Sequence, residues 1–377
     1  MQCNQTPLSC IPYHIDMCCI ERGVILYNEK YYFASAFTPD GWIESMQNNS
    51  YTSLLLSSPP HLSSAQIWPA LFPNMQASSA IYIDPFSPGR SEGFLSETGP
   101  VLLSNMLHPR FLASAPFFTT VIDLHQLVFP FEDATRYKGI LLLKKQMKSL
   151  REAQLQLRAA KDLLAENIRI GSAHLLTDKI YFSVEKIASG LLAAPSGHNT
   201  GRIKNETRFY SSITPNGIVF CEKALHCNIR TVVALSDTTG AAARLFLRLL
   251  TEYARKNAIP HYIGRCSLFY QDKTDHLIFP QQNLLVTTSN RFHTCRFANY
   301  SFCCGKEWMR PMKKTETTML HRNTVLAYQK INDARLALRQ TSRIQAALEE
   351  LCPVRKLTHI FPANALADIT AKNTVEI

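Results

Sequence analysis

FASAFTPDG at residues 33–41 returns as FYSSITPNG at residues 209–217, so the same motif occurs twice at a constant offset of 176 residues. Phenylalanine, serine, threonine, proline and glycine hold the same places in both stretches. Thr-Pro-x-Gly after a strand-like run is typical of a tight turn, because proline presets φ and glycine frees the following position. A repeat of this length predicts two copies of one structural unit.

The residues after each motif also match in kind. Apolar strand-like runs follow at 53–56 in the first copy and at 231–235 in the second. In the second copy a small-residue loop, SDTTGAAAR at 236–244, leads into leucines and a tyrosine at helical spacing over 245–253. A further strand is predicted over 261–266. This order predicts an α/β fold built from a βαβ unit, with the loop at the helix N-terminus.

Each copy is predicted to continue with another strand and a long helix. The strands GPVLLSNMLHPRF (99–111) and NLLVTTSNRFH (283–293) both contain Ser-Asn and then a histidine. Helices are predicted at about 138–168 and 320–352, where apolar residues recur at near-heptad spacing. In the first helix these include Leu143 and Met147.

Polar residues interrupt the apolar seams of both long helices, at Gln154, Lys161 and Gln345. Free coiled coils are therefore disfavoured, and helical hairpins on the flank of each copy are expected. The first hairpin is predicted to return through residues 175–192.

These motifs resemble an uncharacterised bacterial family of tandem P-loop ATPase-like proteins. The family pattern in each half is F-A-x-A-x-T-P-x-G, a strand, G-x-P-G-T-G-K-[ST], a cysteine, a histidine and L-N-x-x-x-x-T-S-N. The resemblance covers about residues 23–355 and implies two P-loop NTPase-like three-layer domains in tandem, each with a flanking long-helix hairpin. The second copy matches at Phe209, Thr214, Pro215, Gly217, Cys266, Asp275, His276, Pro280, Asn283, Thr288, Ser289 and Asn290.

The repeat, together with a stretch rich in Gly, Pro, Ser and Asn and without periodicity at 193–206, predicts the domain organisation. The predicted segments are a cysteine-rich N-terminus (1–22), a first degenerate P-loop-like domain with its hairpin (23–192), a linker (193–206), a second such domain with a C-terminal long helix (207–355), and a tail (356–377).

This sequence departs from the family pattern at the phosphate-binding loop. In a P-loop, backbone N–H groups surround the β-phosphate, a lysine reaches the β and γ oxygens, and a hydroxyl binds Mg²⁺. Here Ala241 stands at the second glycine, Ala242 at the lysine and Ala243 at the hydroxyl residue, and only Gly240 remains nearby. The first copy has no glycine over 57–65, and its Pro-Pro pair removes two backbone donors.

A non-catalytic or weakly nucleotide-binding protein, acting as a scaffold or regulatory partner, is therefore the expected function. The alternative is an ATP-binding protein or ATPase that uses the second domain with an atypical loop, with Arg244 as a substitute cation at the helix N-terminus. The first hypothesis predicts no cofactor. The alternative predicts that ATP binds together with Mg²⁺. The residues that would form this site are Ser236, Asp237, Thr238, Thr239, Gly240, Ala241, Ala242, Ala243 and Arg244.

Charge is distributed unevenly along the chain. Residues 1–135 hold 4 Lys+Arg and 11 Asp+Glu, while the rest of the chain holds 36 and 18, within a total of +11. The basic part could face nucleic acid, but basic residues interleaved with aromatics are absent, so nucleic acid is a weaker expectation. A protein partner or homo-oligomer through the long helices is favoured. Without a spanning apolar run or a signal segment, no membrane association and a cytoplasmic location are expected.

Other candidate residues favour structural roles. The eleven cysteines form no Cys-x-x-Cys pair, so reduced buried thiols are expected. His276 is interpreted as structural. His108 and His293 each follow a Ser-Asn strand end, where α/β sheets place ligand sites. Hydrolase and metalloenzyme motifs are absent from the sequence.

Overall fold

The fold is described from a computed structural model of the chain. The residues that it describes are 31–33, 35–44, 54–58, 80–84, 91–95, 100–105, 120–123, 133–192, 206–221, 225, 229–290 and 300–351. The α/β class predicted from the sequence is confirmed.

A six-stranded mixed sheet organises the second half of the chain. Its spatial order is β16-β12-β15-β14-β13-β9, and every neighbouring pair is parallel except the two that involve β14. The strand β12, second from one edge, reads TVVALS and is buried along its middle, as expected for a strand covered on both faces. The strands are β9 (Glu206–Arg208), β12 (Thr231–Ser236), β13 (Tyr262–Arg265), β14 (Thr274–Phe279), β15 (Leu284–Ser289) and β16 (Tyr300–Cys304).

The first half contains a sheet of the same design. Its order is β1-β5-β6-β7-β4-β8, which is the order of the second sheet when strands are matched along the chain. The directions also correspond, because only the pairs that involve β6 are antiparallel. The strands are β1 (Tyr31–Tyr32), β4 (Leu54–Ser58), β5 (Ala80–Ile83), β6 (Ser91–Leu95), β7 (Pro100–Asn105) and β8 (Thr120–Asp123).

The two Thr-Pro-x-Gly motifs form matching hairpins. Thr38 Oγ1 donates to the Gly41 carbonyl at 2.7 Å, and Thr214 Oγ1 donates to the Gly217 carbonyl at 2.9 Å. Both glycines have positive φ, at 95° and 111°, which explains why glycine holds this position twice. The hairpin strands are β2 (Ser35–Thr38) with β3 (Gly41–Glu44), and β10 (Ser211–Thr214) with β11 (Gly217–Phe220).

The hairpins meet through equivalent residues. The Phe33 N–H donates to the Phe209 carbonyl at 3.0 Å, within an isolated antiparallel bridge. Since these two phenylalanines occupy the same place in the repeat, their antiparallel pairing relates the two hairpins by a local two-fold axis. Both rings lie in a small buried cluster with Ala36, Ile43 and Cys221.

Two long helices, α1 (Asp133–Ser172) and α4 (Lys314–Glu350), pack against each other along their lengths. They are antiparallel, because Gln146 near the start of α1 donates to Gln345 near the end of α4 at 3.0 Å. At the other end Asn323 donates to Asn167 at 3.1 Å. Between these polar pairs the buried seam consists of Ala153, Leu157, Ala160, Ala327, Ile331, Ala334 and Leu338.

Each long helix also holds one hairpin turn. Arg158 Nε of α1 donates to the Pro39 carbonyl at 2.8 Å, and Arg339 Nε of α4 donates to the Pro215 carbonyl at 2.8 Å. The same local two-fold relation therefore extends from the hairpins to the helix pair.

The predicted flank hairpins are corrected by these contacts. Helix α2 (Thr177–Leu191) follows α1 as expected, but it packs on α3 (Ala241–Lys256), and the main partner of α1 is α4. The sequence was misleading because Gln345 looks like an interruption of an apolar seam, whereas its amide is paired with that of Gln146. Met147, expected in the seam, is 53% exposed.

The apolar core of the second half lies between its sheet and helices α2 and α3. Ile180 and Val184 of α2 meet Phe246 and Leu250 of α3 in this core, above the buried strand residue Phe279. The helix predicted after the 236–244 loop is present as α3, but it begins at Ala241, inside the predicted loop. Among the described residues, no helix is long and apolar enough to cross a bilayer.

Candidate functional site: the loop between β12 and α3

The loop 237–240 leaves the carboxyl end of the interior strand β12 and enters α3. The connection from β12 leads toward β13 on one side, whereas the connection from β15 leads to β16 on the other side of β12. Open α/β sheets hold ligands in the crevice where successive connections diverge in this way. The predicted site residues Ser236 to Arg244 therefore lie where the fold favours a binding site.

A carboxylate of the loop itself already binds the N–H groups at this helix N-terminus. Asp237 Oδ1 accepts from the Thr239 N–H at 2.9 Å and from Thr239 Oγ1 at 2.8 Å. Asp237 Oδ2 accepts from the Ala243 N–H at 3.0 Å. Gly240 is left-handed, with φ of 79°, and brings the chain into the helix. A negative group is favourable here because it faces unpaired N–H groups and the positive end of the helix dipole.

The three alanines of the predicted site, Ala241, Ala242 and Ala243, are buried. Ala242, which stands at the lysine position of the family pattern, is completely buried in the apolar core of the second half. Ala243 lies in the same core, and Ala241 lies in the cluster beneath the long helices. A lysine at residue 242 would begin inside apolar packing, where an unpaired ammonium is strongly disfavoured.

The last turn of α1 covers the loop from outside. A Cβ atom added to Gly171 would lie 2.5 Å from Thr239 Oγ1 and 3.0 Å from the Ala241 Cβ, so only glycine fits without a shift. Ile168, one turn earlier, lies against Gly240. Helix α1 follows the first sheet in the chain but closes over the loop of the second.

A 3₁₀ turn at Gly305–Trp308 covers another side of the loop. A Cβ atom on Gly305 would lie 2.7 Å from the Ser236 carbonyl oxygen and 3.2 Å from the Asp237 Cβ. As a result Asp237 is 8% exposed and Thr239 is 5% exposed, whereas Thr238 is exposed. Arg244, the expected substitute cation, is half-buried in the first turn of α3.

A buried ion pair that the sequence did not single out lies beside this loop. Lys273 Nζ donates to Asp275 Oδ1 at 2.5 Å, and Thr288 Oγ1 donates to the same oxygen at 3.3 Å. Burial lowers the pKa of the Lys273 ammonium, but the charges of Asp275 and Asp237 raise it, and the pKa lies above its ordinary value. The cation therefore stays charged and compensates the surrounding carboxylates.

The charge of this group is opposite to what a polyphosphate requires. Two buried carboxylates, Asp237 and Asp275, surround one buried ammonium, that of Lys273. With all three ionised, the group carries one net negative charge. A phosphate-binding loop presents the reverse, namely a surplus of cationic and N–H donors around the anion.

The remaining predicted residues are placed as follows. His276 is completely buried inside β14, and its Nδ1 lies 2.7 Å from Thr287 Oγ1, which agrees with the structural interpretation. His108 and His293 lie outside the described residues, as do the first-copy loop after residue 58 and the cysteine-rich segment 1–22. Among the residues described, no cluster of three or more histidine, cysteine, aspartate or glutamate side chains could hold a metal ion.

Two cysteines of the second half lie away from open solvent, with Cys221 buried and Cys266 partly buried. Burial raises the pKa of the Cys266 thiol to about 12, with a further increase from Asp275, while Lys273 opposes it. Burial also raises the pKa of Cys221. Both thiols therefore remain protonated and weakly nucleophilic at neutral pH.

An open groove of about 630 Å³ lies elsewhere, between α2 and the 3₁₀ turn. The Trp308 indole N–H donates to Ser183 Oγ at 3.1 Å along its wall. None of the loop residues 236–244 lines this groove, which is formed by Asp178, Lys179, Phe182, Ser183, Glu307 and Trp308.

Some signals for the missed residues were present in the sequence. Lys273 and Asp275 stand two apart at the beginning of an apolar strand, so their side chains point to the same side. Charges at the carboxyl edge of a sheet next to a loop-helix junction are candidates for a site. The fit of Gly171 against Thr239 had no such signal, because it joins residues from the two halves of the chain.

Comparison with protein-family models, curated proteins and solved structures found no match to this chain.

Proposed function

We propose that this protein is a non-catalytic, P-loop NTPase-like protein that acts as a scaffold or regulatory partner in the cytoplasm. The observation that carries this proposal is the carboxylate of Asp237, which accepts hydrogen bonds from the Thr239 and Ala243 N–H groups. These donors stand where a P-loop binds phosphate. The second copy is thus proposed to keep the strand-loop-helix plan of a nucleotide-binding domain while its own side chain replaces the ligand.

Three further features support a role without nucleotide chemistry. The buried group formed by Asp237, Asp275 and Lys273 is net negative, which disfavours a triphosphate. Ala242 offers no ammonium to stabilise a transferring phosphoryl group, and such stabilisation is usually the largest contribution to catalysis. The end of α1 packs closely against the loop, because a Cβ atom on Gly171 would lie 2.5 Å from Thr239 Oγ1, so protein atoms occupy the space beside Thr239.

The alternative, ATP binding through an atypical loop, requires Asp237 to leave its three donors and Arg244 to supply the cation. A fluorescent ATP analogue with Mg²⁺, titrated with the full chain, separates the two functions. We expect no saturable binding at analogue concentrations up to about 1 mM, the range of weak affinities near 4 kcal/mol. Micromolar binding that Arg244→Ala abolishes would support the ATPase alternative and overturn the proposal.

A variant that is expected to gain anion binding provides a second test of the same proposal. Asp237→Gly removes the internal anion and takes the net charge of the buried group from −1 to 0. Inorganic pyrophosphate should then bind at least roughly tenfold more tightly than to the wild type, equivalent to about 1.4 kcal/mol. The matched control is Asp178→Gly, in the separate groove at α2. Equal pyrophosphate affinities for wild type and Asp237→Gly, with circular dichroism unchanged, would show that Asp237 does not block an anion site.

A further inference from the structure

The outward face of α1 carries a second heptad stripe that does not contribute to the α1–α4 seam. Its members follow alternating spacings of four and three residues, the spacing that aligns side chains along one face of a helix. The seam uses Ala153, Leu157 and Ala160, on the opposite side of α1. The stripe consists of Tyr137, Leu141, Lys144, Lys148, Arg151 and Leu155.

The ends of the stripe are apolar and unusually exposed. Tyr137 is 78% exposed, Leu141 is 43% exposed and Leu155 is 57% exposed. Large apolar side chains at this spacing, left in water on a helix face, are characteristic of surfaces that bind another helix.

The middle of the stripe is cationic. Lys144, Lys148 and Arg151 are exposed, and none forms an ion pair or side-chain hydrogen bond with any residue that the structure describes. Three uncompensated cations within two helical turns favour a partner that presents carboxylates at the same spacing.

We propose that this stripe binds an acidic amphipathic α-helix of a partner protein. The stripe spans 18 residues, from Tyr137 to Leu155, which is about 27 Å at 1.5 Å per residue. The complementary helix has acidic residues in its central two turns and apolar residues at both ends. This inference rests on the proposed scaffold function and gives that function a partner class.

Charge and position disfavour three other occupants. A second copy, docked with the same stripe antiparallel, would place Lys144 against Arg151 and Lys148 against its own equivalent, and like charges repel. A lipid surface favours an apolar face that is uninterrupted at its centre, whereas here Lys144, Lys148 and Arg151 interrupt it. Nucleic acid would place phosphates against Tyr137, Leu141 and Leu155, which offer an anion no charge.

A designed peptide tests this proposal with the full chain. The probe is a fluorescein-labelled 22-residue helical peptide with leucines in its outer turns and glutamates at the three central stripe positions. Fluorescence anisotropy should give a micromolar Kd with the wild type. Lys144→Glu, Lys148→Glu and Arg151→Glu together should weaken binding at least tenfold, and a peptide with lysines in place of the glutamates should bind this triple variant better than the wild type.

The matched control carries the same charge change on the exposed surface of α4: Lys314→Glu, Arg322→Glu and Arg343→Glu. It should retain wild-type affinity for the glutamate peptide. Equal weakening by both triple variants, or equal binding of a proline-containing scrambled peptide, would overturn the proposal.

Tighter binding of phosphatidylserine vesicles or duplex DNA than of the peptide, lost in the α1 triple variant, would also overturn it in favour of those partners. Micromolar nucleotide binding would overturn the proposed function, whereas a lack of selective peptide binding would overturn this inference. The two failures are therefore distinguishable.

Discussion

The β10–β11 turn and the loop between β12 and α3 satisfy their polar groups in different ways. The turn closes with its own threonine, in the same manner as the β2–β3 turn of the first half. The loop instead uses the Asp237 carboxylate to bind donors that a P-loop reserves for phosphate. Both turns therefore keep the same threonine contact in the two halves, whereas the loop binds its helix N-terminal N–H groups with a carboxylate of its own.

The buried ion pair should show the largest effect on stability. Asp275→Ala leaves the Lys273 ammonium without its main partner, and breaking a buried pair in this way costs about 3–5 kcal/mol. Urea unfolding measures the change. Asp333→Ala, at the exposed Lys330–Asp333 pair separated by 3.7 Å, is the matched control and should cost less than about 1 kcal/mol.

The double variant Lys273→Met/Asp275→Leu sharpens this result. Replacing both charges by apolar side chains removes the uncompensated ammonium, so the double variant should unfold at a higher urea concentration than Asp275→Ala. Equal midpoints would show that the charge pair is not the source of the loss.

Removal of the internal anion should have the next largest effect. Asp237→Ala leaves the Thr239 and Ala243 N–H groups without a partner and should reduce the free energy of unfolding by about 2–3 kcal/mol. Asp237→Asn keeps one carbonyl acceptor and should lose less. A loss below about 0.5 kcal/mol for the alanine variant lies within the range of ordinary surface substitutions. It would show that the Asp237 carboxylate is not needed to satisfy the N–H groups of the loop.

Disruption of the contact between α1 and the loop should have a smaller effect on stability. Gly171→Ala places a Cβ atom 2.5 Å from Thr239 Oγ1 and should destabilise by about 1–3 kcal/mol through overpacking. Gly190→Ala, in α2, meets no atom within 4 Å and should stabilise by up to about 1 kcal/mol through helix propensity. Thermal unfolding of both variants tests the contact, and the same sign of change in both would contradict it.

The two arginines that bind the hairpin turns should make small and equal contributions to the free energy of unfolding. Arg158→Ala and Arg339→Ala each remove one hydrogen bond of 2.8 Å to a turn proline carbonyl, and each should cost about 0.5–1.5 kcal/mol. Chemical denaturation should give values that agree within about 0.5 kcal/mol. A clear difference would show that the local two-fold relation does not extend to the energetics.

Much of the local structure was predictable because it follows from short-range physical chemistry. Thr-Pro-x-Gly specifies the turn through φ of proline and the positive φ of Gly41 and Gly217. The apolar spacing after residue 244 gave helix α3 directly. These features depend on neighbours within a few residues.

The pairing of α1 with α4 and the composition of the site were not predictable in the same way. Gln146 donates to Gln345 across 199 residues of sequence, so Gln345 looks like a defect when its helix is considered alone. Asp237 was included as a loop position, but its role as the internal anion depends on how the loop folds back onto the N–H of Ala243. The role of Lys273 as a buried cation could not be predicted, because it depends on the carboxylates of Asp275 and Asp237, which the fold brings close to it.

A crystal structure of the full chain, grown from ammonium sulfate at molar concentration, would show whether Asp237 or an external anion binds the N–H groups of this loop. We predict that Asp237 keeps both oxygens on the Thr239 and Ala243 N–H groups, with no sulfate in the loop between β12 and α3. A sulfate ion on those N–H groups, with the Asp237 side chain rotated away, would contradict the claim that the protein carries its own replacement for phosphate.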